Sequence, residues 1–284
     1  MTKVDQFESV FRSAVKEVYA PAPVVITKIL QVTDLEGEEC EAFRRRVRDY
    51  LRVLGDEPEW VAVADGDFDT VADLFGIIER EQPSLICTYR NLRSSAWQWP
   101  FSLGEYLDLM TQVAPCPVLV LPHPHAGRAH EHALQDTDVV AAVTDHLAGD
   151  SSLVDYAVHF TQKGGTLYLA HIADEASFEG FMDAISKIPS IETEDARETI
   201  RHQLLKEPAE YVESCRAALQ AAGIDIVTES VVTMGNEIDG YKTFIAEHAV
   251  DLLVFHTKDH GQLAMHGRAY PLAVEFREIP LLML

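Results

Sequence analysis

Cysteine is scarce and scattered. Cys40, Cys87, Cys116 and Cys215 form no CxxC pair and no dense framework, so reduced, buried thiols in a cytoplasmic protein are the expectation. Basic residues are also few, 23 Lys plus Arg against 46 Asp plus Glu, which leaves a net charge of −23. An excess of that size repels nucleic acid and anionic lipid, because both bind through phosphate neutralisation. No apolar run approaches the roughly 18 residues of a membrane span, and residues 1–8 carry no apolar signal core. The chain also contains no Walker A loop, no GxGxxG, no G-x-S-x-G elbow and no HExxH. No motif asks for catalysis.

What is present is alternation. With 284 residues, 47% of them hydrophobic, the chain is long enough for two units of about 140 residues each. Phe7, Val10, Phe11, Ala14, Val15 and Val18 fall on one helical face, which Pro21 and Pro23 end. Strands are predicted over 24–32, 60–64, 84–88 and 114–121, the last introduced by prolines, with helices between them; Asp65-Gly66-Asp67 turns into the helix that starts near Thr70. Residues 123–136, with His123, His125, His130 and His132, break every period and read as a solvated linker. The second half resumes with strands over 138–144, 166–172, 224–233, 251–255 and 280–284. A helix covers 152–162 and a longer helical region runs to about Ala222. This alternation predicts parallel sheet with helices on both faces.

The halves share a grammar. Val63-Ala64-Asp65-Gly66-Asp67 matches Val232-Thr233-Met234-Gly235-Asn236, and Gly104 and Gly267 each stand 13 residues before a proline, Pro117 and Pro280. Together with Ala114-Pro115-Cys116-Pro117-Val118-Leu119-Val120, Val143-Thr144-Asp145, Leu167-Tyr168-Leu169-Ala170-His171-Ile172 and Asp251-Leu252-Leu253-Val254, these segments resemble the universal stress protein family in its tandem form. The resemblance implies two flavodoxin- or Rossmann-like α/β domains with parallel sheets of order 3-2-1-4-5. It implies a degenerate domain over 1–122, the linker over 123–136 and a second domain over 137–284. The two domains would pair along their closing strands, and homodimers are a further expectation. The first half would lack or shorten its opening strand, since only residues 1–4 precede its first helix.

Many members of that family bind ATP through a loop of pattern G-x2-G-x9-G-[ST], in which bare backbone approaches the phosphates. Laid on the second half, the pattern puts His256 and Asp259 at the first two glycines, Gly267 at the third, and Arg268 at the Ser/Thr. Asp145 stands where the family holds adenine. The resemblance thus implies one weak nucleotide or small-ligand site, with Asp145 on the base, Ile172 lining its pocket, and Lys258, Gly267 and Arg268 toward the phosphates. In the first half the glycine positions read Thr88 and Asn91, and Glu105 follows Gly104; no nucleotide is expected there. Trp97 and Trp99 are expected to fold over that end of the sheet, the alternative being a contact patch for an unidentified protein partner.

The reading that follows is a non-enzymatic stress-response or regulatory protein. Two alternatives stand beside it: a metal-binding sensor, in which His256, Asp259 and His260 hold zinc with imidazole and carboxylate ligands, and a slow ATP hydrolase.

Overall fold

Short β-branched and aliphatic runs, separated by helices with one apolar face, assemble into a layered α/β structure. The computed structural model describes residues 19–99, 102–143, 151–257 and 269–284. The helix expected over 7–18 and the short opening strand therefore lie outside the described residues. Strand β1 (Lys28–Val32) leads to helix α1 (Gly37–Tyr50), β2 (Glu59–Val63), α2 (Val71–Glu81), β3 (Leu85–Tyr89), α3 (Glu105–Val113) and β4 (Val118–Leu121). There follow β5 (Val139–Val143), α4 (Ser152–Phe160), β6 (Thr166–Asp174), α5 (Glu175–Ile185), α6 (Thr193–Ala221), β7 (Val227–Gly235), α7 (Glu237–His248), β8 (Leu252–Phe255), α8 (Ala269–Glu275) and β9 (Leu281–Met283).

Local chemistry accounts for several boundaries. Thr70 caps α2 through its side-chain oxygen, with Asp73 reaching back to the Thr70 amide to complete a capping box. Asn236 accepts from the Asp239 amide at 3.0 Å and opens α7 in the same way. The long helical region expected before Ala222 is two helices, α5 and α6, separated by a turn that contains Pro189, while Pro208 is accommodated inside α6. The strand expected over 24–32 begins only at Lys28; before it, the Thr27 amide bonds to the Ser84 hydroxyl at 2.9 Å instead of to a neighbouring strand.

The nine strands of the described residues form one sheet, in the order β2-β1-β3-β4-β9-β8-β5-β6-β7. Every neighbouring pair is parallel except β4 and β9, which run antiparallel with Val118 opposite Met283, Leu119 opposite Leu282 and Val120 opposite Leu281. This overturns the expectation of two tandem flavodoxin-like domains, each with its own parallel sheet and paired to the other within the chain. The closing segments 118–121 and 281–283 exchange ladder hydrogen bonds, so neither ends a separate sheet; the result is a single continuous mixed sheet. One hydrophobic core follows it, from Ile29 and Leu30 through Leu119 and Leu282 to Leu167 and Leu169, all fully buried. Contacts from outside the sheet also join distant parts of the chain. The Tyr50 hydroxyl donates to the Asp251 carbonyl at 3.1 Å, and buried Tyr19 donates to Asp155 on α4 at 2.7 Å.

Residues 123–136 differ from the solvated connector expected of them. Ala133 is fully buried, the His130 amide donates to the Glu278 carbonyl at 3.0 Å, and the His132 ring meets the Val250 carbonyl at 3.3 Å. The polar composition of this stretch concealed its backbone partners. No helix among the described residues is long and apolar enough to cross a membrane.

Candidate functional site

In parallel α/β sheets the strand C-termini present helix N-termini and loop amides to one rim, where ligands bind. On the first-half rim, β1, β2 and β3 end in Thr33-Asp34, Ala64-Asp65 and Arg90-Asn91. The Tyr89 hydroxyl donates to Asp34 Oδ1, receives the Asp34 amide at 3.1 Å and lies 2.7 Å from Thr33 Oγ1. The Arg93 amide donates to Asp34 Oδ2 at 2.5 Å, and the Arg93 guanidinium binds the Asp65 and Phe68 carbonyls while stacking over the Phe68 ring at 4.7 Å. Arg93 therefore ties the ends of β1, β2 and β3 together.

Trp97 covers this network. Its ring stacks on His123 at 4.9 Å and 17°, and His123 in turn meets Tyr89 edge-on at 4.9 Å. Burial pushes the His123 pKa down to about 4, with the Asp34 carboxylate pulling the other way. Trp97 folds over its own end of the sheet, whereas Trp99 is 61% exposed. Gly104, at φ +88°, caps α3 hard against the 90–94 turn; a Cβ there would lie 2.7 Å from Asn91 Cα. Beside this plug an open groove of about 1040 Å³ runs along the start of α1, bordered by Glu36, Glu39, Glu41 and Asp65 and by Arg44 and Arg45. The carboxylates crowd the position a phosphate would need. Asp34, Tyr89 and Arg93 were not singled out from the sequence, and His123 was read only as part of a solvated linker, although Tyr89-Arg90-Asn91 at the end of a strand, at the ligand-bearing rim, was a usable signal.

On the second-half rim, Asp145, Lys258, Asp259, His260, Gly267 and Arg268 lie outside the described residues. Ile172 is 3% exposed on β6; its amide donates to the Tyr241 hydroxyl at 3.2 Å, and its side chain fills the space above Gly240, where a Cβ would come within 2.8 Å. Ile172 thus backs the rim from within the core. His256, at the end of β8, lines a cavity of about 260 Å³ with Thr257, Ser152 and Tyr156. That is below the usual size of pockets for drug-sized ligands, which start at about 300 Å³.

At the opposite end of the strands stand Asp136, Asp138 and Asp251, whose carboxylate oxygens lie within 4.8 Å of one another; among the described residues this is the one set of three potential metal ligands. Asp251 is 2% exposed and accepts the Val139 amide at 3.1 Å. Burial first, and then a hydrogen bond with Asp138, push its carboxyl up to about 8. Arg52 pairs with Asp136 at 3.1 Å. The three carboxylates could coordinate a divalent cation once the proton between Asp138 and Asp251 has left. The expected zinc ligands did not predict this set, which belongs to the strand N-termini.

No curated protein matches the chain. Solved structures similar to it include a functionally unknown protein of Pseudomonas aeruginosa PAO1, 12% identical over 92% of each chain at a TM-score of 0.48. A universal stress protein of Archaeoglobus fulgidus is 12% identical over 90% of this chain and 87% of its own, at 0.47. A putative universal stress protein of Pseudomonas aeruginosa UCBPP-PA14 is 13% identical over 92% and 93%, at 0.49. At such identities and scores these likenesses carry no functional argument. In the sequence itself, the stretch from just before β5 to beyond β8, residues 137–266, matches the model of the universal stress protein family.

Proposed function

We propose that the chain is a non-enzymatic regulatory protein that holds a nucleotide or smaller ligand weakly at the second-half rim. The observation that carries this reading is the family match over 137–266, which spans Asp145, Ile172 and Lys258 and stops just short of Gly267 and Arg268. In that reading Asp145 meets the base, Ile172 supports the base pocket from below, and Lys258 and Arg268 supply positive charge that the missing glycines do not. The first-half rim is a poor rival, since Trp97 and His123 cover it and carboxylates border its groove.

The fit to ATP is partial. His256 puts a side chain where a phosphate cradle needs bare backbone, and the cavity it lines is small. A site of this kind suits a sensor better than a hydrolase, which must also position Mg²⁺ and a water in line with the leaving group.

Calorimetric titration with ATP and Mg²⁺, paired with a phosphate-release assay, tests the reading. The expected result is weak binding that Arg268→Ala reduces about tenfold, a change of about 1.4 kcal/mol, without phosphate release. Binding unchanged in Arg268→Ala, or steady turnover of ATP, refutes it.

A further inference from the structure

Arg90 and Arg277 take no part in the Asp34–Tyr89–Arg93 network or in the ligand site proposed for the second half. Arg90 directly follows β3 and is 5% exposed; Arg277 is half-buried in the short segment between α8 and β9. The sheet brings them together. Tyr89 is opposite Leu121 at the end of β4, and Val120 is opposite Leu281 at the start of β9. The antiparallel seam therefore places the β3 exit beside the β9 entry. One Arg90 nitrogen, Nη2, donates to the Phe276 carbonyl at 2.6 Å. Arg90 Nε and Arg277 Nε and Nη1 are buried with no hydrogen-bond partner among the described residues. Thr88, two residues earlier on the same face of β3, has a buried hydroxyl in the same condition.

Buried donors on charged groups are costly to leave unmatched, and two like charges close enough to act on one another add repulsion. Burial, followed by the charge of Arg277, draws Arg90 down to about 9, while Glu278 acts in the opposite direction. Glu278 offsets one of the two positive charges; its carboxylate accepts the Arg277 amide at 3.1 Å. One positive charge and a fork of inward-facing N–H groups are left. Planar guanidinium forks match the oxygens of tetrahedral oxyanions.

We propose that Arg90 and Arg277 bind a small free oxyanion of the phosphate or sulfate class at the seam where β3 and β4 end and β9 begins. Glu278 and the His130 backbone amide that holds it in place restrict the approach, so the site favours an inorganic ion over the phosphoryl group of a larger molecule. An anion there links two segments 187 positions apart and stabilises the seam. This site is separate from the ligand site proposed above and uses none of its residues.

The test titrates the full chain with inorganic phosphate, and separately with AMP, at constant ionic strength set with chloride. Thermal midpoint and 31P line width are the readouts. Phosphate is expected to raise the midpoint and broaden the 31P line. Arg277→Gln should weaken binding at least tenfold, and Arg277→Lys, which keeps the charge but loses the fork, should restore it in part. If Arg277→Gln fails to fold, saturable 31P broadening by the wild-type chain, competed by sulfate but not by chloride, decides the matter. Absence of that broadening overturns the proposal. So does binding of AMP without phosphate, or phosphate binding that Arg277→Gln leaves intact. Arg268→Ala leaves this site whole, so its failure and that of the second-half site are distinguishable.

Discussion

Replacing Asp251 by asparagine should change how stability depends on pH. The wild-type carboxyl is 2% exposed, accepts the Val139 amide and is hydrogen-bonded to Asp138. Its pKa is pushed up to about 8, by burial first and Asp138 second. The folded protein therefore keeps a proton that the unfolded chain sheds near the ordinary value of 3.8. With the folded value raised, stability is fully present below the unfolded pKa and is lost as pH rises toward about 8. One full proton of difference over three pH units amounts to about 4 kcal/mol. Relaxation and water entry on ionisation offset part of that, which leaves an expected difference of about 2 kcal/mol. Asparagine keeps both contacts, since its carbonyl accepts from Val139 and its amide donates to Asp138, and it never ionises. Urea unfolding of wild type and Asp251→Asn at pH 5, 6, 7 and 8 is the assay. The two should differ least at pH 5, and the variant should be more stable by about 2 kcal/mol at pH 8. Titrations shared by both chains cancel in the difference. A gap constant between pH 5 and pH 8 refutes the assignment of a retained proton to this pair.

Two further outcomes follow from the first-half rim. Gly104→Ala puts a methyl group against Asn91 backbone atoms at 2.7 Å and forces φ +88° on an L residue; urea unfolding should show a loss of about 2 kcal/mol or more. Trp97→Ala uncovers His123, so its titration midpoint, followed by NMR of the ring protons, should rise from about 4 by roughly one unit or more; an unchanged midpoint would mean that Trp97 is not what keeps water from the ring.

Elements with strong local signals were legible in the sequence. The aliphatic runs at 85–89, 118–121, 139–143 and 252–255 are strands, and helices start near Thr70 and after Asn236, with Thr70 and not the Asp65-Gly66-Asp67 turn as the first one's cap. That the closing segments would meet was implied by the family resemblance and not by the residues themselves, and that they join one continuous sheet was not legible. Val118–Leu121 and Leu281–Met283 look alike as isolated apolar runs, and nothing in either run says that it will hydrogen-bond to the other in reverse direction. Relations between distant segments leave no periodic trace. The same holds for the sites. Asp138 and Asp251 are ordinary acids until the sheet aligns β5 with β8, and Arg90 and Arg277 meet only across the seam. The histidines at 123–136 were read from composition alone, and composition does not record that Trp97 will stack on one of them.

The position of β9 bears on how the molecule is made. Among the nine strands of the described residues it is synthesised after the other eight, yet it stands fifth across the sheet, between β4 and β8. Until those residues leave the ribosome, both flanking strands carry unpaired edges of apolar sequence, a template for aggregation. The nascent chain must therefore wait with its centre open, and the three-residue insertion works as a keystone that converts two exposed margins into interior.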